Sequence, residues 1–206
     1  MPKIDLRKQL KHLYNPPKNK FTVVDVPSMN FLMIDGEGDP NTSKDFQEAM
    51  EALYSMSYTL KFALKFGKYG GKKYDYPVMA LEGLWWTDDM TQFISGGKDK
   101  WKWTVMIMQP DFITRSMFNA ARKEVKEKRN PVALSKVRCA KYTEGPSAQI
   151  MYIGKFADEG PTIQRLHDFI KESGHQLRSK HHEIYMSDPR RTAPEKLKTA
   201  IRQPFK

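Results

Sequence analysis

Apolar and polar residues alternate along this chain with two different periods. Phe21 to Val26 and Asn30 to Asp35 are short β-branched or apolar runs, so each reads as a strand, with Pro27-Ser28 turning the chain between them. A loop of turn residues, Gly36 to Thr42, follows. The period then becomes helical. Phe46, Met50, Leu53, Ser57, Leu60 and Leu64 recur on one side, with Ala49 and Met56 beside them. Thr42 or Ser43 can cap the start of this helix, and Gly67 to Gly71 stops it. Tyr76 to Trp86 and Trp101 to Gln109 read as strands flanking a polar loop, Thr87 to Lys100, that contains Gly96-Gly97.

Asp111 opens a second helix with Ile113, Met117, Ala120, Ala121 and Val125 on one side, and Asn130-Pro131 stops it. Val137 to Thr143 and Ala148 to Ile153 read as strands around Glu144-Gly145-Pro146. Pro161 opens a third helix, where proline is tolerated in the first turn. That helix carries Ile163, Leu166 and Ile170 and ends at Gly174. His181 to Met186 reads as a strand, Ser187 to Pro194 as a loop, and a short segment runs to the C-terminus. Ahead of these elements, Met1 to Lys20 is a polar, basic leading arm with Asn15-Pro16-Pro17 as a breaker.

The layout repeats. Strand, loop, helix, strand and a further segment ending in Gln-Pro occur twice. The first set is Asn30–Asp35, the helix from Ser43, Val78–Trp86, and Trp103 to Gln109-Pro110. The second is Ala148–Ile153, the helix from Pro161, His181–Met186, and Lys198 to Gln203-Pro204. The pattern predicts one α+β domain over residues 1–206, a duplicated strand–helix–strand–strand unit. Its halves fall at roughly 20–110 and 137–206, joined by a helix at 111–129. A pseudo-twofold between such halves leaves a groove, and seams of this kind are favoured ligand sites.

Composition narrows the class. Hydrophobic residues are 39% and aromatics 12% of the chain, enough for a packed core, so wholesale disorder is excluded. Thirty-five Lys and Arg against twenty-four Asp and Glu give a net charge of +11. Such a balance suits nucleic acid or an anionic membrane. The basic residues are nevertheless spread along the chain, Glu124 and Glu127 interrupt one run, and no DNA-binding motif is visible. A solvated surface is the expectation, with no specific nucleic-acid partner and no membrane. The single cysteine, Cys139, excludes a disulfide framework and a cysteine-built metal cage. No run approaches the ~18 apolar residues of a spanning helix, and Met1 to Leu6 carries no secretory signal. A cytoplasmic protein is expected.

Candidate chemistry lies on the strands, where alternate side chains share a face. Trp101 and Trp103 face together, as do Glu82 and Trp86, and so do His181, Glu183 and Tyr185, while Tyr152 lies with Ala148 and Ile150. Four tryptophans crowd between Trp85 and Trp103. They form either an aromatic core or a cage for a flat or cationic ligand. Glu82 and Glu183 sit in apolar strands, where a buried carboxylate needs a partner or rises in pKa. Each is a candidate ligand or catalytic group. The alternative for each is a structural ion pair with Arg190, Arg191 or Arg202. His181 and Glu183 share a face but lack a third ligand, so no metal is expected.

Leu32-Met33-Ile34-Asp35-Gly36-Glu37-Gly38-Asp39-Pro40, Leu81-Glu82-Gly83-Leu84-Trp85-Trp86, Trp103 to Pro110 and His181-His182-Glu183-Ile184-Tyr185-Met186-Ser187-Asp188-Pro189-Arg190-Arg191 together resemble the GyrI-like small-molecule-binding family, in its stand-alone branch. The resemblance implies a duplicated βαββ fold, shared with the effector-binding domains of multidrug-responsive regulators. It also implies binding of bulky aromatic or cationic xenobiotics between the halves, with Glu183 matching the family's usual cation partner. The branch includes cyclopropanoid cyclopropyl hydrolases, which open the cyclopropane of DNA-alkylating natural products within an aromatic cage. By that resemblance Glu183 and Tyr185 are the expected catalytic pair. Trp86, Trp101, Trp103, Tyr152 and Glu82 are the expected ligand-binding set, and no cofactor is needed. A non-catalytic sensor or sequestering protein, or a gyrase inhibitor, are the alternatives. The regulators' DNA-binding domain has no counterpart in this sequence.

Overall fold

The apolar stripes of the helices from Ser43 and from Pro161 meet sheet strands, while that of the helix after Asp111 packs on the helix from Ser43. The computed structural model describes residues 3–70, 73–90, 93 and 97–206. Met1 of the leading arm, Gly71 of the helix stop and Gly96 of the polar loop lie outside the described residues. In chain order the elements are α1 (Leu6–Gln9), α2 (Lys11–Tyr14), β1 (Thr22–Val26), β2 (Met29–Glu37), α3 (Lys44–Phe66), β3 (Leu81–Trp86), β4 (Lys102–Gln109), α4 (Arg115–Lys128), β5 (Arg138–Tyr142), β6 (Gly145–Ile153), α5 (Gly160–Glu172), β7 (His181–Tyr185) and β8 (Lys198–Pro204).

Local chemistry explains the boundaries. The Ser43 hydroxyl caps α3 by accepting from the Phe46 amide. Thr114 caps α4 in the same way, accepting from Met117, so that helix begins four residues after the expected Asp111. The leading arm holds two short helices, α1 and α2. The final segment is a full strand, β8, with all but its first residue buried.

The chain forms two compact units that interleave in sequence. One comprises Met1–Gln9, Met29–Met79 and Gly97–Tyr142, and the other Leu10–Ser28, Ala80–Gly96 and Thr143–Lys206. The units therefore do not follow the sequence halves, because β1 and β3 pair with strands of the second half. In the first unit β2 pairs antiparallel with both β4 and β5, and α3 packs on β2 and β4. Trp103 fills this core. It is 1% exposed, meets Phe46 edge-on at 5.2 Å, and rests on Gly36, where a Cβ would lie 2.2 Å from the indole. Only glycine leaves room for that ring.

In the second unit the antiparallel strands run β1-β6-β8-β7-β3. Helix α5 covers one face through Ile163, Leu166 and Ile170, packed on Ala148, Ile150, Ile201 and Phe205. The pairing registers carry the repeat. Asn30 stands opposite Gln109 in the first unit, and Ala148 stands opposite Gln203 in the second. These are the positions that the two Gln-Pro endings and the two first strands bring into correspondence. The fold is a duplicated βαββ arrangement of the α+β class. No helix among the described residues is long and apolar enough to cross a membrane.

Candidate functional site

The site is built where β3 pairs with β7. The register sets Leu81 opposite Tyr185, Gly83 opposite Glu183 and Trp85 opposite His181. These residues share one face, the one that α5 covers. Gly83 matters here, because a Cβ on it would lie 2.5 Å from Trp85 Nε1. The indole folds back over that glycine, and its Nε1–H donates to the Tyr185 hydroxyl at 3.0 Å. The Tyr185 hydroxyl in turn donates to Glu183 Oε2 at 2.7 Å. Burial first, and then the Glu183 charge, hold the Tyr185 phenol well above its ordinary pKa, so it stays protonated.

The other Glu183 oxygen, Oε1, lies 3.3 Å from His181 Nε2, at ion-pair distance but outside hydrogen-bonding geometry. His181 is fully buried, with Phe93 5.3 Å from its ring and His167 of α5 at 6.5 Å. Burial, then His181, push His167 down to about 4, so His167 is neutral near pH 7. Phe156 meets Tyr185 edge-on at 5.6 Å. A carboxylate 8% exposed is thus held among rings, with a phenol bound to one of its oxygens. Such a group can pair with a cation or accept a proton.

The opposite face of the same strands carries a buried chain of charges. Tyr14 donates to Glu82 Oε1 at 2.6 Å, and Glu82 Oε2 lies 3.0 Å from His182 Nε2. His182 Nδ1 meets Glu144 at 3.0 Å, and Arg202 Nη1 donates to the same carboxylate at 3.0 Å. Arg202 also donates to Gln149 Oε1 at 3.1 Å and to the Leu13 carbonyl at 2.5 Å. All five side chains that form this chain from Glu82 to Gln149 are at most 1% exposed. Burial alone would depress His182, but Glu144 and then Glu82 raise it to about 9. Burial would raise Glu144, but His182 and Arg202 lower it to about 2. Two carboxylates therefore balance two cations away from water.

The expected site residues are distributed as follows. Glu183 and Tyr185 are brought together. Trp86 lies on the opposite face of β3 from them, because it is one residue out of phase with Trp85, and the Lys180 ammonium sits 3.3 Å from its ring centroid. Glu82 shares that opposite face, and both of its oxygens are engaged by Tyr14 and His182. Tyr152 packs beside the core under α5, and its hydroxyl donates to the Lys155 carbonyl at 3.1 Å. It borders an open cavity of about 420 Å³ that Lys18, Thr162 and Arg165 also line. In the first unit Trp103 is core, while Trp101 has Lys98 5.0 Å from its ring centroid.

Arg202 pairs with Glu144 and Arg190 pairs with Asp188, while His181 Nε2 lies 3.3 Å from Glu183 Oε1. Sequence reasoning missed Trp85 as the Tyr185 partner, and Glu144, which read as a turn residue. Only the β3–β7 register distinguishes Trp85 from Trp86. Among the described residues no three His, Cys, Asp or Glu side chains gather as ligands for an ion. Cys139 of β5 is half-buried, and burial pushes its thiol up.

The fold is an α+β domain that known structures share. A conserved protein from Listeria innocua superposes with a TM-score of 0.89 at 38% identity, covering 98% of this chain and 100% of that one. A hydrolase from Listeria innocua superposes with a TM-score of 0.87 at 37% identity over 100% of both chains. The C-terminal domain of EcmrR, at 9% identity and a TM-score of 0.58 over 91% of this chain and 97% of that one, shares the fold alone. The family model for a GyrI-like small molecule binding domain matches residues 19–206, and the chain belongs to that family. No curated protein matches it.

Proposed function

We propose that the protein binds bulky aromatic or cationic xenobiotics and hydrolyses cyclopropanoid DNA-alkylating agents by opening their three-membered ring with water. The observation that carries this reading is the Glu183 carboxylate held among aromatic rings with the Tyr185 hydroxyl on one oxygen. Two hydrolases from Listeria innocua, 36% and 37% identical, support the hydrolytic part.

In this mechanism Glu183 accepts a proton from water as the water oxygen bonds to the strained ring carbon. The electron pair of the breaking carbon–carbon bond flows into the adjoining ring system, which becomes aromatic and carries the charge on a phenolate oxygen. A carboxyl that has taken a proton is a weaker acceptor, so the Tyr185 hydroxyl turns from Glu183 to the developing phenolate. Trp85 and Phe156 orient the planar ligand. Relief of ring strain and aromatisation supply the driving force.

The test is Glu183→Gln, which keeps size and hydrogen bonding but cannot accept the proton. Turnover of a neutral cyclopropanoid, followed by product mass, should fall by roughly 10²–10⁴ while its binding and the melting temperature are nearly retained. Full turnover by a folded Glu183→Gln protein removes Glu183 from the chemistry. Binding without any product by the unaltered protein leaves a sensor or sequestering role.

A further inference from the structure

Helix α3 buries one side in the first unit and carries an aromatic row along the other. Tyr54, Tyr58, Phe62 and Phe66 follow one another four residues apart, with successive ring centroids 6.4, 6.1 and 6.2 Å apart and interplanar angles of 29°, 22° and 12°. Three of these rings are open to solvent: Tyr58 is 46% exposed, Phe62 45% and Phe66 63%. Large apolar side chains in an unbroken exposed row are unusual on a folded surface. The row also has a direction. The tyrosines, which carry hydroxyls, come first, and the phenylalanines stand at the C-terminal end.

That end is ringed by lysines. Lys61 lies 5.7 Å from the Phe62 ring centroid. The Lys73 stem runs against Gly67, immediately after Phe66. Lys65 pairs with Asp75 at 3.0 Å, and Lys68 and Lys128 pair with Glu124 at 3.0 and 2.7 Å. Lys3 bridges to Asp75 through the backbone. Six lysines thus surround two carboxylates, and the rim keeps a positive excess.

We propose that the C-terminal end of α3 is a docking surface for an anionic lipid bilayer. Phe62 and Phe66 enter the boundary between headgroups and acyl chains, Tyr54 and Tyr58 sit at headgroup level, and the lysines meet lipid phosphates and carboxylates. The order of tyrosine before phenylalanine matches the polarity gradient of such an interface. A second copy of the chain fits poorly, because pairing through this patch brings two positive rims together. A single-stranded nucleic acid fits poorly too. A base between two parallel rings needs two van der Waals gaps, about 7 Å in all, which is more than the spacing within the row.

The experiment mixes the full chain with vesicles of phosphatidylcholine alone, or of phosphatidylcholine with phosphatidylserine, and reads the bound fraction by sedimentation. Binding should require phosphatidylserine and weaken as salt is added. Phe62→Ser with Phe66→Ser should lower partitioning at least about tenfold, while Phe62→Leu with Phe66→Leu should retain it. Melting temperatures establish that each variant is folded. Should the serine variant not fold, Lys61→Glu with Lys73→Glu should abolish the preference for anionic vesicles. The proposal is overturned if the unaltered protein binds neither vesicle, or if the folded serine variant binds as well as the original. It is equally overturned if the phenylalanines are needed for a concentration-dependent dimer or for retention on a single-stranded oligonucleotide, but not for vesicles.

Discussion

Tyr185 donates its hydroxyl to Glu183 at 2.7 Å from two residues further along the same strand. Residues two apart in a strand share a face, so the contact follows from the pleat. It is not self-sufficient, however. The Trp85 indole, resting on Gly83, holds the phenol oxygen from the neighbouring strand. A carboxylate, a phenol and an indole thus form a directed chain of donors ending on the group that would accept a proton.

Tyr185→Phe cuts that chain at its centre. The variant keeps the ring but loses both the donor to Glu183 and the acceptor for Trp85. Loss of a buried hydrogen-bond partner should cost about 1–3 kcal/mol of stability. Turnover of a cyclopropanoid should fall by roughly 10²–10³ if the hydroxyl stabilises the phenolate. Affinity for a cationic ligand should change little, because the carboxylate remains. Urea denaturation, single-turnover rate and ligand titration on this one variant separate the roles. An unchanged rate would take Tyr185 out of the chemistry.

Trp103→Ala probes a different property. The indole is buried between Phe46 and Gly36, so its removal empties a cavity in the first unit. The variant should lose about 3–5 kcal/mol of stability. Ligand affinity measured on the folded fraction should match the original. A stable variant with weakened ligand binding would instead place the ring in the ligand site.

Much of the fold was legible because periodicity needs no partner. The stripe of α3, the α5 stripe and the order of strands all appear in the sequence, and the Gln109 and Gln203 endings marked the repeat, while the pairing of Gln109 with Asn30 and of Gln203 with Ala148 appears only in the structure. The Glu183 and Tyr185 pair was legible for the same reason. Contacts between distant segments were not. Glu144 looked like a turn residue until His182 and Arg202, far along the chain, closed on it. Tyr14 sat in an arm read as polar, yet it supplies the Glu82 partner. Trp85 and Trp86 are adjacent, and only the pairing with β7 decides which of them meets Tyr185. The aromatic row of α3 escaped notice because the core stripe on the opposite side already accounted for the helix.

The buried charges predict how stability depends on pH. His182 titrates at about 9 in the folded protein against an ordinary 6.5. Its contribution is therefore complete below pH 6.5 and is lost as pH rises through 9, on the order of 3 kcal/mol in all. Glu144 titrates at about 2 against an ordinary 4.5. Its contribution is complete above pH 4.5 and is lost as pH falls through 2. His167 works in the opposite sense to His182. Held at about 4 against an ordinary 6.5, it resists protonation when folded, so stability also declines as pH falls from 6.5 to 4. These groups together place the maximum near pH 6.5, with a shoulder on the acid side where His167 acts before Glu144. Urea denaturation across this range should trace that profile. His167→Gln should flatten the slope between pH 6.5 and 4 and leave the alkaline limb intact. His182→Gln should destabilise the protein by about 3–5 kcal/mol at neutral pH, because Glu82 and Glu144 lose the cation between them, and should abolish the alkaline limb. An alkaline limb that survives in a folded His182→Gln protein would show that another group, and not the imidazolium between Glu82 and Glu144, sets the response.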